Sequence, residues 1–394
     1  MLAVLEAYRQ APSDRPGELA RFLARLDRIP STDRAPTPRR PWRPQVRRAV
    51  VRVRLAAPTR VVRLRWHTPV IDDLAALARL LELDPDQLDW FADRREINRV
   101  ARDDKLRHYR YRWLPHRLIE APKMRLRGLQ RRLLDELLGP IPVHDAAHGF
   151  VPGRGVHSFA AMHADRPVVV RMDLTAFFSS ITAGRVYGLW RIAGYPEPVA
   201  HTLTALTTTR TPAAVLRQAP DATRAALLRR PHLPQGAPTS PALANLCAYV
   251  LDRRLTGLAE RFGLRYSRYA DDLAFSGALR DHQAGNLIAH VGAIVAAEGF
   301  RIHPAKTRVR GRADRQELAG LVVNVRAAVP RGDYDRLRAV LHDAATHGLG
   351  TANRDGHPDF AAHLTGRVAW VAHRHPNRAA KLHRLLDAAL AAPP

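Results

Sequence analysis

Apolar positions change their spacing several times along the chain, and each change marks an element. Leu2, Leu5, Leu19, Phe22, Leu23 and Leu26 fall at intervals that suit one helical face, which predicts a short amphipathic helical segment within residues 1–30. Residues 34–65 lose that pattern. Eleven arginines, no acid and prolines at 36, 38, 41, 44 and 58 predict a partly extended basic arm there, strand-like over 50–64 and serving either as a solvated tail or as an ordered contact for a polyanion. Helical spacing returns after Thr68, with Leu74, Leu77, Leu80 and Leu81 on one side, and a second helix begins near Asp84-Pro85 with Leu88, Trp90 and Phe91. Residues 109–119 predict strands and residues 124–138 a basic helix.

The middle of the chain alternates between buried-strand runs and apolar helices. Val168-Val169-Val170-Arg171-Met172-Asp173-Leu174 is a β-branched strand that ends in a carboxylate and passes into Phe177-Phe178-Ser179-Ser180-Ile181. Leu233-Pro234-Gln235-Gly236-Ala237-Pro238-Thr239-Ser240-Pro241 is a loop whose glycine and prolines set the backbone direction before an apolar helix from 242 to about 258. Residues 264–268 and 273–276 predict two short strands joined at Tyr269-Ala270-Asp271-Asp272. After Pro330 the pattern is helical again over 333–347, 360–373 and 376–390.

The acids change the picture most. Two adjacent carboxylates at a hairpin tip repel each other, and a hard divalent cation such as magnesium relieves that while leaving positions open for phosphates. A solvated polar tip is the other reading of that turn. Asp173 adds a third carboxylate at the end of a core strand, where an unused charge is costly. Together they suggest phosphoryl chemistry on a two-metal site.

Composition narrows the partners. A chain of 394 residues, 46% hydrophobic, has room for about two or three subdomains. A net charge of +26 is tolerated mainly where a polyanion neutralises it, so nucleic acid is the expected partner. An anionic membrane surface would also attract such charge, but the sequence holds no apolar run of about 18 residues and no secretory segment near Met1, so no membrane and a soluble, cytoplasmic protein are expected. The single cysteine, Cys247, excludes a disulfide within the chain and a multi-cysteine zinc site, and reads as a small core residue. Seven histidines follow Pro330, but without clean ligand spacing they read as nucleic-acid or solvent contacts. Lys105, Lys123, Lys306 and Lys381 are the only lysines beside many arginines.

Asp173, the 233–241 loop and the 269–272 turn, in that order, resemble motifs A, B and C of reverse transcriptases. Further blocks extend the resemblance: Arg117-Leu118-Ile119-Glu120-Ala121-Pro122 with Leu129-Gln130, His148-Gly149-Phe150-Val151-Pro152-Gly153-Arg154, Gly299-Phe300-Arg301-Ile302-His303-Pro304-Ala305-Lys306-Thr307, and Gly320-Leu321-Val322-Val323-Asn324. The match runs from about residue 68 to the C-terminus and is closer to the retron type than to the intron-encoded type. Two retron hallmarks are incomplete: Phe159-Ala160-Ala161-Met162-His163 lacks an asparagine, and Leu318-Ala319-Gly320 keeps only the glycine.

The resemblance implies an α+β right-hand polymerase: an Arg/Pro-rich extension over 1–66, fingers over 67–146, a palm with an antiparallel sheet over 147–329 and a helical thumb over 330–394. It implies that Asp173 and Asp271 share two Mg2+ ions, with Mn2+ as a substitute, that Asp272 is a weaker ligand or neighbour, and that the Leu174 carbonyl completes a shell. Phe178 would exclude a 2′-hydroxyl; core packing beside Phe177 is the alternative, since alternation lets only one of the two face the site. Gln235 would touch the incoming nucleotide or template, and Gly236 would let backbone pass close to the base pair. Arg117 would pair with the triphosphate, with Arg110, Arg112 and Arg125 as rivals. Lys306 would protonate the leaving group, or else is a surface lysine. His148 would be a structural contact beside the template path.

The implied activity is RNA-directed DNA synthesis of retron type. Its partners would be a structured noncoding RNA as template and primer, dNTPs, an RNA–DNA hybrid product (msDNA), and a separate effector protein in antiphage defence. A group II intron-like or other defence-associated reverse transcriptase is the nearest rival, and a non-polymerising RNA-binding scaffold is the rival of another class.

Overall fold

A computed structural model describes residues 66–101, 103–115, 117–373 and 376–392. The helix expected within 1–30 and the basic arm of 34–65 lie outside the described residues.

Two short helices come first, α1 (Leu74–Leu80) and α2 (Pro85–Ala92). Each begins on an aspartate, Asp73 or Asp84, whose carboxylate accepts a backbone N–H three residues on at 2.7 Å. That satisfies one of the donors every helix start leaves unpaired. An antiparallel hairpin follows, β1 (Tyr109–Leu114) with β2 (Arg117–Pro122), and then the basic helix α3 (Met124–Leu133). The expected helix over 124–138 is regular only to Leu133, and a wider π-type turn covers Leu134–Leu138.

The centre is a four-stranded antiparallel sheet in the order β4 (Arg265–Tyr269), β5 (Asp272–Gly277), β3 (Val168–Asp173), β6 (Arg308–Gly311). Because side chains alternate across a strand, β3 sends Val170 and Met172 to one face and Val169, Arg171 and Asp173 to the other. Val170 and Met172 enter the larger core. There they join Leu251 and Leu255 of α10 (Tyr249–Arg261) and Leu287, Val291 and Val295 of α11 (Asp281–Ala297). Val169 joins a second core with Phe159 of α4 (Val156–Ala161), Leu318 of β7 (Glu317–Leu318) and Leu321 of β8 (Leu321–Val322). Ala319 and Gly320, at φ 46° and 82°, turn that last hairpin.

Between β3 and β4 lie α5 (Phe177–Ser180), α6 (Ala183–Ile192), α7 (Glu197–Thr207), α8 (Ala222–Leu228) and α9 (Ser240–Cys247). The single apolar helix expected over 242–258 is two helices, α9 and α10, because Ala248 (φ −88°, ψ 2°) leaves the helical path. Three helices close the chain: α12 (Arg331–Ala352), kinked at Gly348, α13 (Phe360–Ala372) and α14 (Pro376–Ala391). Leu337, Leu341, Leu364, Val368, Leu382 and Leu386 carry them onto the second core, so this bundle packs through the β7–β8 hairpin onto the face that bears Asp173. No helix among the described residues is long and apolar enough to cross a membrane.

Candidate active site

The turn between β4 and β5 is two residues long, since Tyr269 pairs with Asp272. Its first residue, Ala270, sits at φ 54°, a left-handed conformation that a non-glycine residue keeps only when its surroundings hold it. Arg268 does the holding. Its fully buried guanidinium donates to the Ala270 carbonyl at 3.0 Å and to Asn245 Oδ1 at 3.1 Å. It also forms a two-pronged pair with Asp252 of α10 at 2.8 and 2.6 Å, and the Tyr266 hydroxyl donates to the same carboxylate at 2.8 Å. Gly149 packs against the turn so closely that an added Cβ would stand 2.6 Å from the Ala270 nitrogen. Asn245 Nδ2 fixes the Gly149 carbonyl at 2.8 Å.

Register sets the carboxylates side by side. Asp173, the last residue of β3, lies directly opposite Asp272, the first of β5. Three backbone bonds extend this arrangement past the strand ends: Leu174 N to Asp271 O, Thr175 N to Arg301 O, and His303 N to Asp173 O, each 2.8 Å. The last two bring the segment before Lys306 alongside. Lys306 Nζ donates to Asp173 Oδ2 at 2.9 Å, and Arg171 donates to both oxygens of Asp272 at 2.9 and 3.1 Å. Burial, followed by the charges of Asp173 and Asp272, raises the pKa of the Asp271 carboxyl. Burial also raises that of Asp272, against the pull of Arg171.

These oxygens suit a hard divalent cation, and a cation beside Asp271 would relieve the repulsion that raises its pKa. Among the described residues no three acidic, histidine or cysteine side chains enclose a metal as they stand, and Lys306 and Arg171 each pair with one of the carboxylates. Asp173, Asp271, Asp272 and the Leu174 carbonyl are the groups that would hold one.

A cavity of about 910 Å³ opens beside these groups and gathers Arg117, Asp173, Leu174, Phe178, Gln235, Asp271 and Lys306 along its wall. Arg110, Arg112 and Arg125 are not in that wall, whereas Arg224 of α8, which the sequence did not single out, is. Gly236 serves the wall from behind. At φ 134° its added Cβ would meet the Glu120 carbonyl at 3.2 Å, and the Gln235 carbonyl accepts from the Glu120 N–H at 2.9 Å, so the loop docks on β2. Phe177 and Phe178 do not alternate as strand residues would, because both belong to helix α5. Phe177 is buried against Phe300 and lies under the Arg268 guanidinium, while Phe178 is half-buried and faces Phe150.

Two buried networks brace the site, and the pairings within them were not foreseen from the sequence. Glu120 accepts from His232 Nε2 at 2.8 Å and from the Thr211 hydroxyl at 2.7 Å. With Nδ1 of His232 2.6 Å from the Arg230 carbonyl, both ring nitrogens face acceptors, as an imidazolium requires. Burial opposes that charge, but Glu120 outweighs it and the pKa is raised. His163, in the incomplete hallmark, bridges the hydroxyls of Ser276 and Ser267 at 2.7 and 2.8 Å, tying α4 to β4 and β5. Burial lowers its pKa to about 3, so it bridges as a neutral ring. His148 bonds Ser158 at 2.9 Å and is lowered to about 4 by burial and Arg154.

A family model described as reverse transcriptase (RNA-dependent DNA polymerase) matches residues 115–321. The chain is 42% identical to the retron Mx65 reverse transcriptase of Myxococcus xanthus over 71% of its own length and 65% of that protein's. It is 38% identical to the retron Mx162 reverse transcriptase of the same organism, over 82% and 69%. It is 30% identical to the retron Ec86 reverse transcriptase of Escherichia coli, over 57% and 64%. The chain thus spans about two thirds of the length of these relatives.

Two outcomes follow from the geometry. Asp252→Ala strands the Arg268 charge in the core and should cost about 3–5 kcal/mol in urea denaturation; a loss below about 1 kcal/mol would mean the pair does not hold the turn. The second concerns Asp271, whose folded carboxyl binds a proton more tightly than the unfolded one. Its contribution therefore makes metal-free stability rise as pH falls from neutrality through the folded pKa. Asp271→Asn should remove that slope and raise the metal-free melting temperature at neutral pH. It should also abolish the gain of about 2.7 kcal/mol that a divalent cation confers at a hundred times its dissociation constant; a variant that keeps the full metal-induced gain would contradict the ligand role.

Proposed function

Because this chain belongs to the family of retron-type reverse transcriptases, we propose that it is an RNA-directed DNA polymerase that extends a primer on a structured RNA. The observation that carries this reading is the register of β3 against β5, which sets Asp173 opposite Asp272 with Asp271 at the adjoining turn, beside a cavity edged by Arg117, Phe178, Gln235 and Lys306. Reverse transcriptases generally use divalent metal ions. Here two Mg2+ ions, replaceable by Mn2+, would be held by Asp173, Asp271 and the Leu174 carbonyl, with Asp272 as a weaker ligand. They would supply an activated primer hydroxyl and a neutralised triphosphate.

The chain's own residues divide the rest. Arg117 presents a planar, two-pronged donor to the triphosphate from β2. Gln235 meets the incoming nucleotide or the template, held at its height by Gly236 docked on Glu120. Phe178, half-buried beside Phe150, closes the space where a 2′-hydroxyl would project. Lys306, within reach of Asp173, gives a proton to the departing pyrophosphate. Residues 67–146 serve as fingers, 147–329 as palm and 330–394 as thumb. The product is single-stranded DNA joined to its RNA (msDNA), made from dNTPs on a structured noncoding RNA and acting with a separate effector protein in antiphage defence.

Asp173→Asn and Asp271→Asn should each lower metal-dependent dNMP incorporation on an RNA template by about 10³-fold or more, since a shared ligand is worth several kcal/mol. RNA retention in a filter assay should be unchanged. Undiminished synthesis would refute the assignment. Phe178→Ala should admit ribonucleotides, and unchanged sugar discrimination would count against its role.

A further inference from the structure

A second recess, of about 450 Å³, opens on the Asp173-bearing side of the sheet and is lined by Val169, Arg171, Arg308, Arg310, Arg315 and Glu317. Its charge is hard to explain by folding alone. Arg171 of β3 stands directly opposite Arg308 of β6, and Arg310 follows two residues on, on the same face. Like charges directly opposite one another weaken a strand pair. Four guanidinium groups face one lining acid, Glu317, which pairs with Arg315 at 2.8 Å. Arg308 gives one nitrogen, Nη1, to the carbonyls of Ala305 and Thr307 at 2.7 and 2.9 Å. The recess is firmly shaped, since the fully buried Gln316 donates to the carbonyls of Arg166, Pro167 and Arg310 at 3.0, 3.3 and 3.3 Å.

Arg171 belongs to this recess and to the carboxylate site at once, because its guanidinium grips both oxygens of Asp272 at 2.9 and 3.1 Å. A planar fork that fits a carboxylate fits a phosphate equally well. We propose that the recess is a phosphate-binding site that draws Arg171 away from Asp272, so that seating a phosphate there frees Asp272 for the divalent cation. Before the phosphate arrives, Arg171 stands in for that cation. The recess thereby couples the arrival of a phosphate-bearing molecule to assembly of the metal site. Such coupling is reciprocal: the metal, by taking Asp272, releases Arg171 to the phosphate. The phosphate belongs either to a nucleic-acid backbone or to released pyrophosphate. This inference rests on the carboxylates being a cation site.

The test is Mn2+ binding by the full chain, read from the free-ion EPR signal, with and without a chain-terminated primer–template hybrid and with no dNTP present. In the wild type the hybrid should raise Mn2+ affinity about tenfold. Arg171→Gln should bind Mn2+ about tenfold more tightly without the hybrid and gain nothing from it. Arg308→Gln/Arg310→Gln, at exposed positions, should start at wild-type affinity and lose the gain. Wild-type behaviour in all variants would overturn the coupling while sparing the polymerase reading; a wild type that binds no Mn2+ in either state would overturn both. Calorimetry with inorganic pyrophosphate in EDTA separates the two sources. Binding that weakens about tenfold in the double variant assigns the site to the product, and coupling by the hybrid without such binding assigns it to the nucleic-acid backbone. The absence of both pyrophosphate binding and coupling by the hybrid would refute the phosphate site.

Discussion

Crowding three carboxylates onto neighbouring strand ends is electrostatically unfavourable, and the rest of the site is arranged around that constraint. Strand register alone sets Asp173 opposite Asp272, and a one-residue slip would turn either acid to the other face. The bond from Leu174 N to Asp271 O continues that register past the strand ends, and the turn itself is fixed by the Arg268–Asp252 pair, fully buried and reinforced by Asn245 and Tyr266, with one guanidinium nitrogen on the carbonyl of the strained Ala270. A buried ion pair is a doubtful source of net stability, but it is well suited to specifying a single geometry. Here it specifies the backbone of the turn that carries Asp271 and leads into Asp272.

The same economy of charge continues outward. Lys306 and Arg171 each meet one carboxylate from the strand or turn beside it, so the acids are partly neutralised without any group being locked deep in the core. Both cations reach the rim of a space where phosphates would come, one at the main cavity and one at the arginine recess. On the other wall, the buried Glu120–His232 pair ties β2 to the segment just before Gln235. The loop that carries Gln235 and the strand that bears Arg117 are therefore tied to each other.

Much of this was legible in the residues. The β-branched run ending in Asp173, the strands flanking the Asp-Asp turn and the aspartate-capped helices α1 and α2 all follow from local pattern and propensity. Position-specific resemblance picked out Arg117, Phe178, Gln235 and Lys306, which the fold gathers into one cavity. What local pattern missed has physical causes. Phe177 and Phe178 follow a strand but sit on a single turn of helix, so both line the cavity where a period of two allowed only one of them. No proline or glycine marks the break at Ala248. Arg268 with Asp252, and Glu120 with His232, are partners 16 and 112 residues apart. Among so many arginines nothing local distinguishes the one that is buried.

RNA-directed DNA synthesis of retron type leaves a product that stays with the enzyme. It is recovered by isolating the protein from its own host in mild salt and sequencing the nucleic acid that accompanies it, after separate RNase and DNase digestion. A discrete single-stranded DNA joined to RNA by a linkage that only a debranching enzyme opens is the expected result. Bound RNA with no DNA, or heterogeneous DNA with no branch, would contradict it.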